Sequence, residues 1–502
     1  VMVSAARACL KQKTRLLYII GNPAHRLYLW RKIIVDKAIG MITVRIRGQN
    51  MFDYVLKGGQ VIDPKNKIYS KLNIGIKNGK INALAIDDIF GKKVLDCSNL
   101  IVSPGFVDIH MHEDPYDENK QDFQFGISEC MLKMGVTSVI GGNCGSGPQN
   151  PLEYLMTVKR LGYPVNIGLL SAHATLRENL GDFDKYKNVY TNTINRMCEK
   201  LEEELEAGTL GISFGIRYTP GIDHDELLAL CQVVKKYDKF VAAHVRNDAE
   251  GVIPAIMELI EVAKEIGVKL QISHIGGIGA YGQMEEVCRL IDYYNCNGLD
   301  IGIDCYPYNA FCSSIGSTIF DDGFLEWYKV DYSALEITQG EYKGQRLQEQ
   351  VFKKERAENP DYLVVAHVMR EQEVDIALAH PRTVLASDGI LNDGNGHPRA
   401  AGAFPRFIRE YVINKKTVSL YDAIAKMTYL PAERFEIDKG SLSIGSDADI
   451  VVFDLEKIRD NATFKKPTEG PDGIKYVFVN GELALDDGKI VNNRLGRPIT
   501  IN

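Results

Sequence analysis

A chain of 502 residues, 45% hydrophobic and 25% charged, can bury a large core, and one big α/β unit with a smaller appended unit suits it better than a string of unrelated modules. It has no run of 18 uncharged apolar residues, which argues against membrane insertion. Its ten cysteines form no CxxC pair, which argues against a zinc ribbon or a disulfide framework and points to a reducing, cytoplasmic compartment. The net charge of −7 is uneven: residues 1–50 hold ten lysines and arginines against one acid, Asp36, so the remainder carries −16, which argues against a nucleic-acid partner.

In chain order, residues 1–50 read as a basic extension outside the fold, which is expected to begin at "MFDYVLKGGQVID" with Met51. Residues 51–105 then alternate as short strands, and Asn78-Gly79 marks a hairpin, because both central positions of a type I′ turn need positive φ. Residues 436–502 repeat the pattern, with a second hairpin at Asn480-Gly481. Neither block is large enough to fold alone, so the two are expected to pair into a small β-sandwich built from both chain ends.

Between them, over 106–435, strand-like runs alternate with helical ones. "TSVIGG" leads to "PLEYLMTVKRLG", "VNIGLLSAH" to "TNTINRMCEKLEEELEAG", "FVAAHVR" to "VIPAIMELIEVAKEIG", and "LQISHIG" to "MEEVCRLIDYYNC". The expected architecture is α/β, a (β/α)8 TIM-like barrel, with an insertion over 312–360 where the rhythm breaks.

In a barrel of this kind the functional side chains sit at the C-terminal ends of the strands. His110 and His112 close "GFVDIHMHED" at i and i+2, which puts both imidazoles on one face. His244 closes "KFVAAHVR" and His274 closes "KLQISHIG". Cys144 stands in the glycine-rich turn "GGNCGSGP". A lone histidine or cysteine is ordinarily core material, but these strand-end residues form a convergent nitrogen and sulfur set that suits zinc. Asp388, in "TVLASDGILNDG", would be a turn residue in isolation; facing a metal, it can shuttle a proton.

The HxH strand, the two later histidines, the late Asp and the G-x-L-x-x-G-x-D-A-D run at 440–449 resemble the amidohydrolase superfamily. Within it, "GGNCGSGP", "YTPG" at 218–221, "HVR" at 244–246, "YPY" at 306–308, "SDG" at 387–389, "HPRAAGAFPR" at 397–406 and "KMTYLPAERF" at 426–435 resemble the N-acyl-D-amino-acid deacylases, or D-aminoacylases.

The resemblance implies a zinc-dependent hydrolase that cleaves the linear amide of an N-acyl-D-amino acid, with metal-bound hydroxide as nucleophile and Asp388 as general acid/base. It implies one tight zinc site at Cys144, His244 and His274. His110 and His112, with Asp388, match a second, weaker one. Arg399 and the Tyr306 hydroxyl match the residues that hold the substrate carboxylate. Where relatives often read "SHHK" this chain reads "SHIGG", so a lysine is replaced by Gly276, and the expectation tilts toward neutral or apolar D-amino acids. A cyclic-amide hydrolase of the hydantoinase or dihydroorotase kind shares the fold, but no lysine closes a middle strand to bridge two metals. A non-catalytic scaffold would be expected to have lost ligands.

Overall fold

The computed structural model describes residues 51–500; the basic stretch 1–50 lies outside the described residues, so the expectation for it stands as one. The chain is mixed α/β. Its parallel strands follow one another as Phe106–Asp108, Val136–Gly141, Asn166–Leu169 with Ser171–Ala172, Gly211–Gly215, Phe240–His244, Lys269–Ile272, Ile301–Cys305 and Thr383–Leu385. Sequence neighbours pair in parallel from the second to the seventh, the first pairs with the second, and the last with the seventh. The order then returns to its start: Met111 bridges Gly389 in parallel, and the His112 amide donates to the Gly389 carbonyl at 2.9 Å.

The helices lie where the apolar periodicity puts them. Pro151–Leu161 starts behind Asn150, whose side chain accepts from the Glu153 amide, with proline in the first turn where its missing N–H costs nothing. Val252–Ile266 stops at Gly267, whose left-handed φ of 75° ends the helix. The strands contribute Val107, Ile109, Ile140, Leu170, Leu210, Phe240, Ala242, Val384 and Ala386 to one shared apolar cluster, so their C-terminal ends stand on a packed base.

Strands from both chain ends form a single nine-stranded sheet, in which Ile450–Phe453 pairs antiparallel with Ile101–Pro104, and Ile101–Pro104 pairs with Phe52–Asp63. Both predicted hairpin tips have positive φ at both residues: 51° and 77° at Asn78-Gly79, and 51° and 82° at Asn480-Gly481. The tips also meet, because a Cβ on Gly79 would fall 2.9 Å from the Asn480 carbonyl oxygen. Glycine is therefore needed there for space as well as for φ.

The excursion before the last parallel strand is wider than the expected 312–360. Its antiparallel strands are Phe311–Ser314, Leu335–Ile337 and Leu363–Ala366, with the last in the centre. The far boundary was hidden because Leu363–Ala366 is buried on both faces and reads like another parallel strand. Among the described residues, no helix is long and apolar enough to cross a membrane.

Candidate metal centre

Three of the site residues leave their strands through backbone that L-residues seldom adopt: φ is 53° at Cys144, 34° at His274 and 48° at Asp388. Neighbours hold each turn in place. The Glu113 carboxylate accepts from the Gly142 amide at 2.7 Å, tying the HxH strand to the Cys144 turn, and the Ser213 hydroxyl accepts from the Gly145 amide at 3.0 Å. The His274 amide donates to Asp304 at 2.8 Å, and the Asp388 amide donates to the His110 carbonyl at 2.8 Å. Gly215 closes the fourth strand because any Cβ there would run into the Cys144 carbonyl.

These turns bring the sequence-predicted side chains together. Cys144 Sγ lies 3.4 Å from His110 Nε2 and 3.3 Å from His274 Nε2. The ring centres of His244 and His274 are 4.5 Å apart, and those of His110 and His274 are 5.0 Å apart. Three sets of donor atoms each lie within 4.8 Å of one another: Cys144, His244 and His274; His110, His274 and Asp388; His110, His112 and Cys144. The first is the predicted tight set. Beyond it, His110 shares with His274 as well as with His112, so the two predicted sites overlap rather than stand apart. His112 is the most open member, with 20% of its side chain exposed, which puts it on the solvent side.

The electrostatics suit a cation. Burial opposes ionising Cys144, but His110 and His274 outweigh it and hold the thiol well below its usual range. Burial likewise opposes charging His244, yet Asp248 and Cys144 lift it to about 9, and His110 is lifted by Cys144 and Asp304. The cluster therefore wants buried positive charge opposite a thiolate. His244 Nδ1 is buried without a hydrogen-bond partner, and His274 meets the Cys144 sulfur through Nε2, so the donor set fits a borderline-soft divalent metal.

Asp388 faces both His110 Nε2 and His112 Nε2 through Oδ1, at 3.5 and 3.6 Å, and Arg399 Nη1 through Oδ2, at 2.8 Å. Burial opposes its charge, but Arg399 and His274 override this and hold the carboxyl well below the usual carboxylate range. Arg399 is fully buried; its Nε and Nη1 make no hydrogen bond of proper geometry, and its guanidinium lies 4.5 Å from the Tyr306 ring centre. The Tyr306 hydroxyl points to the Met369 sulfur at 3.8 Å, so its ring rather than its hydroxyl meets Arg399.

Three residues that sequence reasoning missed orient these groups. Asp248 Oδ1 lies 3.1 Å from His244 Nε2, which leaves Nδ1 for the cluster. Asp304 reaches His110 Nδ1 at 3.4 Å as well as the His274 amide. Asp108 takes the His110 and Ser387 amides, and burial pushes its carboxyl up to about 7. Each had a signal, an Asp two or four residues from a ligand or last but one in its strand, yet an isolated Asp is too common for that spacing to stand out.

Amidohydrolase family models match residues 101–266 and 347–484, which sets the class. The D-aminoacylase of Alcaligenes xylosoxydans xylosoxydans is 29% identical over 89% of this chain and 97% of its own length. The N-acyl-D-glutamate deacylase of the same organism is 30% identical, covering 86% and 93%. The solved structure of the Bordetella bronchiseptica N-acyl-D-glutamate deacylase, with zinc and a phosphonate mimic of the tetrahedral intermediate, superposes with a TM-score of 0.81 at 26% identity over 90% of this chain and all of that one. The chain belongs to the N-acyl-D-amino-acid deacylase family of the amidohydrolases.

Proposed function

We propose that this protein hydrolyses the amide bond of N-acyl-D-amino acids to a carboxylate and a free D-amino acid, with zinc as its metal. The observation that carries the reading is a buried cysteine and histidine set packed against Asp388, which is itself paired to Arg399. The cyclic strand order supports a (β/α)8 barrel over 106–435, and the single sheet that joins strands of 51–105 to strands of 436–502 supports one β-unit built from both chain ends.

Cys144, His244 and His274 would hold the tight ion, and His110 and His112 with Asp388 a weaker second one. When bound, a divalent metal supplies a Lewis acid that polarises the amide carbonyl and eases deprotonation of water. Asp388, kept ionised, accepts the proton of the attacking water through Oδ1. As the C–N bond breaks it returns that proton to the departing nitrogen, while the new C–O bond remains in the carboxylate product. Arg399, ion-paired to Asp388 through Nη1, offers its unpartnered Nε to the substrate α-carboxylate, with the Tyr306 ring centre 4.5 Å from the guanidinium. Asp248 fixes the His244 tautomer.

A ring-opening hydrolase that bridges two metals through a lysine is disfavoured: Gly215 closes the fourth strand, with the Cys144 carbonyl against it. The test is Asp388→Asn. The variant is expected to bind zinc as the wild type does while kcat for N-acetyl-D-amino acids falls about 100-fold or more. Turnover near the wild-type rate would remove Asp388 from this role.

A further inference from the structure

Three arginines packed into this protein are well bonded. Arg246 binds both Glu258 oxygens and the carbonyls of Pro220 and Ile222. Arg177 grips Glu226 and the Gly221 carbonyl, and Arg434 grips Gln271 and the Leu270 carbonyl. Arg399 differs, and the proposed mechanism explains why. Arg217 differs too, and the mechanism does not use it.

Arg217 follows the fourth parallel strand, one residue before Tyr218, whose ring lies edge-on to His244 at 4.8 Å. Its side chain is 20% exposed, its buried Nε has no hydrogen-bond partner, and its ion-pair partner is Asp248 Oδ2 at 3.9 Å. Asp248 is already committed. Oδ1 reaches His244 Nε2, and Oδ2 accepts from the Tyr328 hydroxyl at 2.7 Å, whereas Arg217 at 3.9 Å makes no hydrogen bond to it. What remains is a guanidinium with free donors.

Contacts link it to the site. Tyr328 packs on Tyr281 with ring centres 5.4 Å apart, and the Tyr281 hydroxyl donates to the Gly277 carbonyl at 3.1 Å. A Cβ on Gly277 would stand 2.9 Å from the Tyr306 hydroxyl and 3.5 Å from His274 Nδ1. Tyr306 in turn underlies Arg399. A chain of contacts thus runs from Arg217 through Asp248, Tyr328, Tyr281 and Gly277 to Tyr306 and Arg399, past His274.

The "SHIGG" turn carries no charge of its own. Gly276 is sealed, since its Cβ would be 2.8 Å from Cys305 Sγ, so a long side chain from that position has no room without repacking. Any cation for the far end of the substrate must come from another element.

We propose that Arg217 binds a second carboxylate of the substrate, the side chain of an acidic D-amino acid, while Arg399 takes the α-carboxylate. This rests on the deacylase reading and reverses the tilt toward neutral side chains that "SHIGG" alone suggests. A second carboxylate could instead sit on the acyl group, and the experiment separates the two.

Zinc-loaded wild type and Arg217→Gln are assayed with N-acetyl-D-glutamate, N-acetyl-D-glutamine, N-acetyl-D-leucine and N-succinyl-D-leucine, with zinc content measured for both proteins. The expected result is that the wild type prefers N-acetyl-D-glutamate. The variant loses about 10- to 100-fold in kcat/KM for that substrate alone, the worth of one charge-assisted pair, with zinc content unchanged. A wild type that prefers the neutral substrates would overturn the proposal, as would a selective loss on the succinyl substrate or an equal loss on all four with less zinc. If no substrate turns over, the deacylase reading fails. Calorimetric binding of N-acetyl-D-glutamate against N-acetyl-D-glutamine to both proteins then decides the role of Arg217: a preference that disappears in the variant upholds it, and equal binding refutes it.

Discussion

At the scale of single residues, Cys144 is where chemistry and conformation coincide. A thiolate buried among histidines is stable only opposite positive charge, and its φ of 53° aims Sγ at the cluster. Cys144→Ala is expected to abolish tight zinc binding, read as metal stoichiometry after gel filtration; full retention of zinc would make the thiol mere packing. Asp248→Asn keeps the shape but weakens the hold on His244 Nε2, and zinc affinity is expected to drop about 10- to 100-fold in a competition titration with a chromogenic chelator. The clustering of the proposed ligands was legible because strand ends expose them at fixed spacing. The buried acids that orient them were not, since nothing in "HVRND" or "IGIDCYPY" separates an Asp that serves a histidine from one that serves a turn.

At the scale of elements, the helix Ile127–Lys133 lacks a side-chain cap of its own, and Asp114 from the HxH loop supplies it. Its carboxylate accepts from the amides of Gly126, Ile127 and Ser128 at 2.8, 2.9 and 3.1 Å, and from the Tyr163 hydroxyl at 2.9 Å. Asp114→Ala leaves these buried donors stranded, and a loss of about 3 kcal/mol is expected in urea unfolding. An unchanged midpoint would show that water replaces the carboxylate. "HMHED" is therefore two proposed ligands followed by two braces, Glu113 for the Cys144 turn and Asp114 for the next helix. The sequence disclosed the proposed ligands and concealed the braces, because caps contributed from distant sequence leave no local pattern. Helices with a local cap, such as Pro151–Leu161 behind Asn150, were readable from end to end.

At the scale of the whole molecule, the two chain ends close on each other in one sheet, and the parallel strands close through Met111 and Gly389. The alternation of strands and helices and both Asn-Gly hairpins were legible, because periodicity and positive-φ turns are local signals. The width of the excursion before the last parallel strand was not, because pairing partners are non-local.

Acid sensitivity belongs to this scale too. Glu226 is buried; burial favours its neutral form, but His173 and Arg177 outweigh this and hold its carboxyl below the ordinary glutamate range. A depressed folded-state pKa contributes stability above the unfolded value and loses it as pH falls through the folded one. Glu226→Gln, by leaving Arg177 unpaired, is expected to cost about 3–5 kcal/mol near pH 7. The gap from wild type should narrow as pH falls below about 4.5, where the unfolded chain's glutamate binds a proton before the folded one does, and this is read from Tm against pH. A gap that is constant with pH would mean that the loss is one of packing alone.

The central claim is metal-dependent deacylation of D-amino acids, and the direct measurement is release of free amino acid from paired N-acetyl-D- and N-acetyl-L-amino acids by zinc-loaded and chelated protein. Release from the D members alone, abolished by chelation and restored by zinc, is the predicted result. Equal release from both enantiomers, or release that survives chelation, would contradict it.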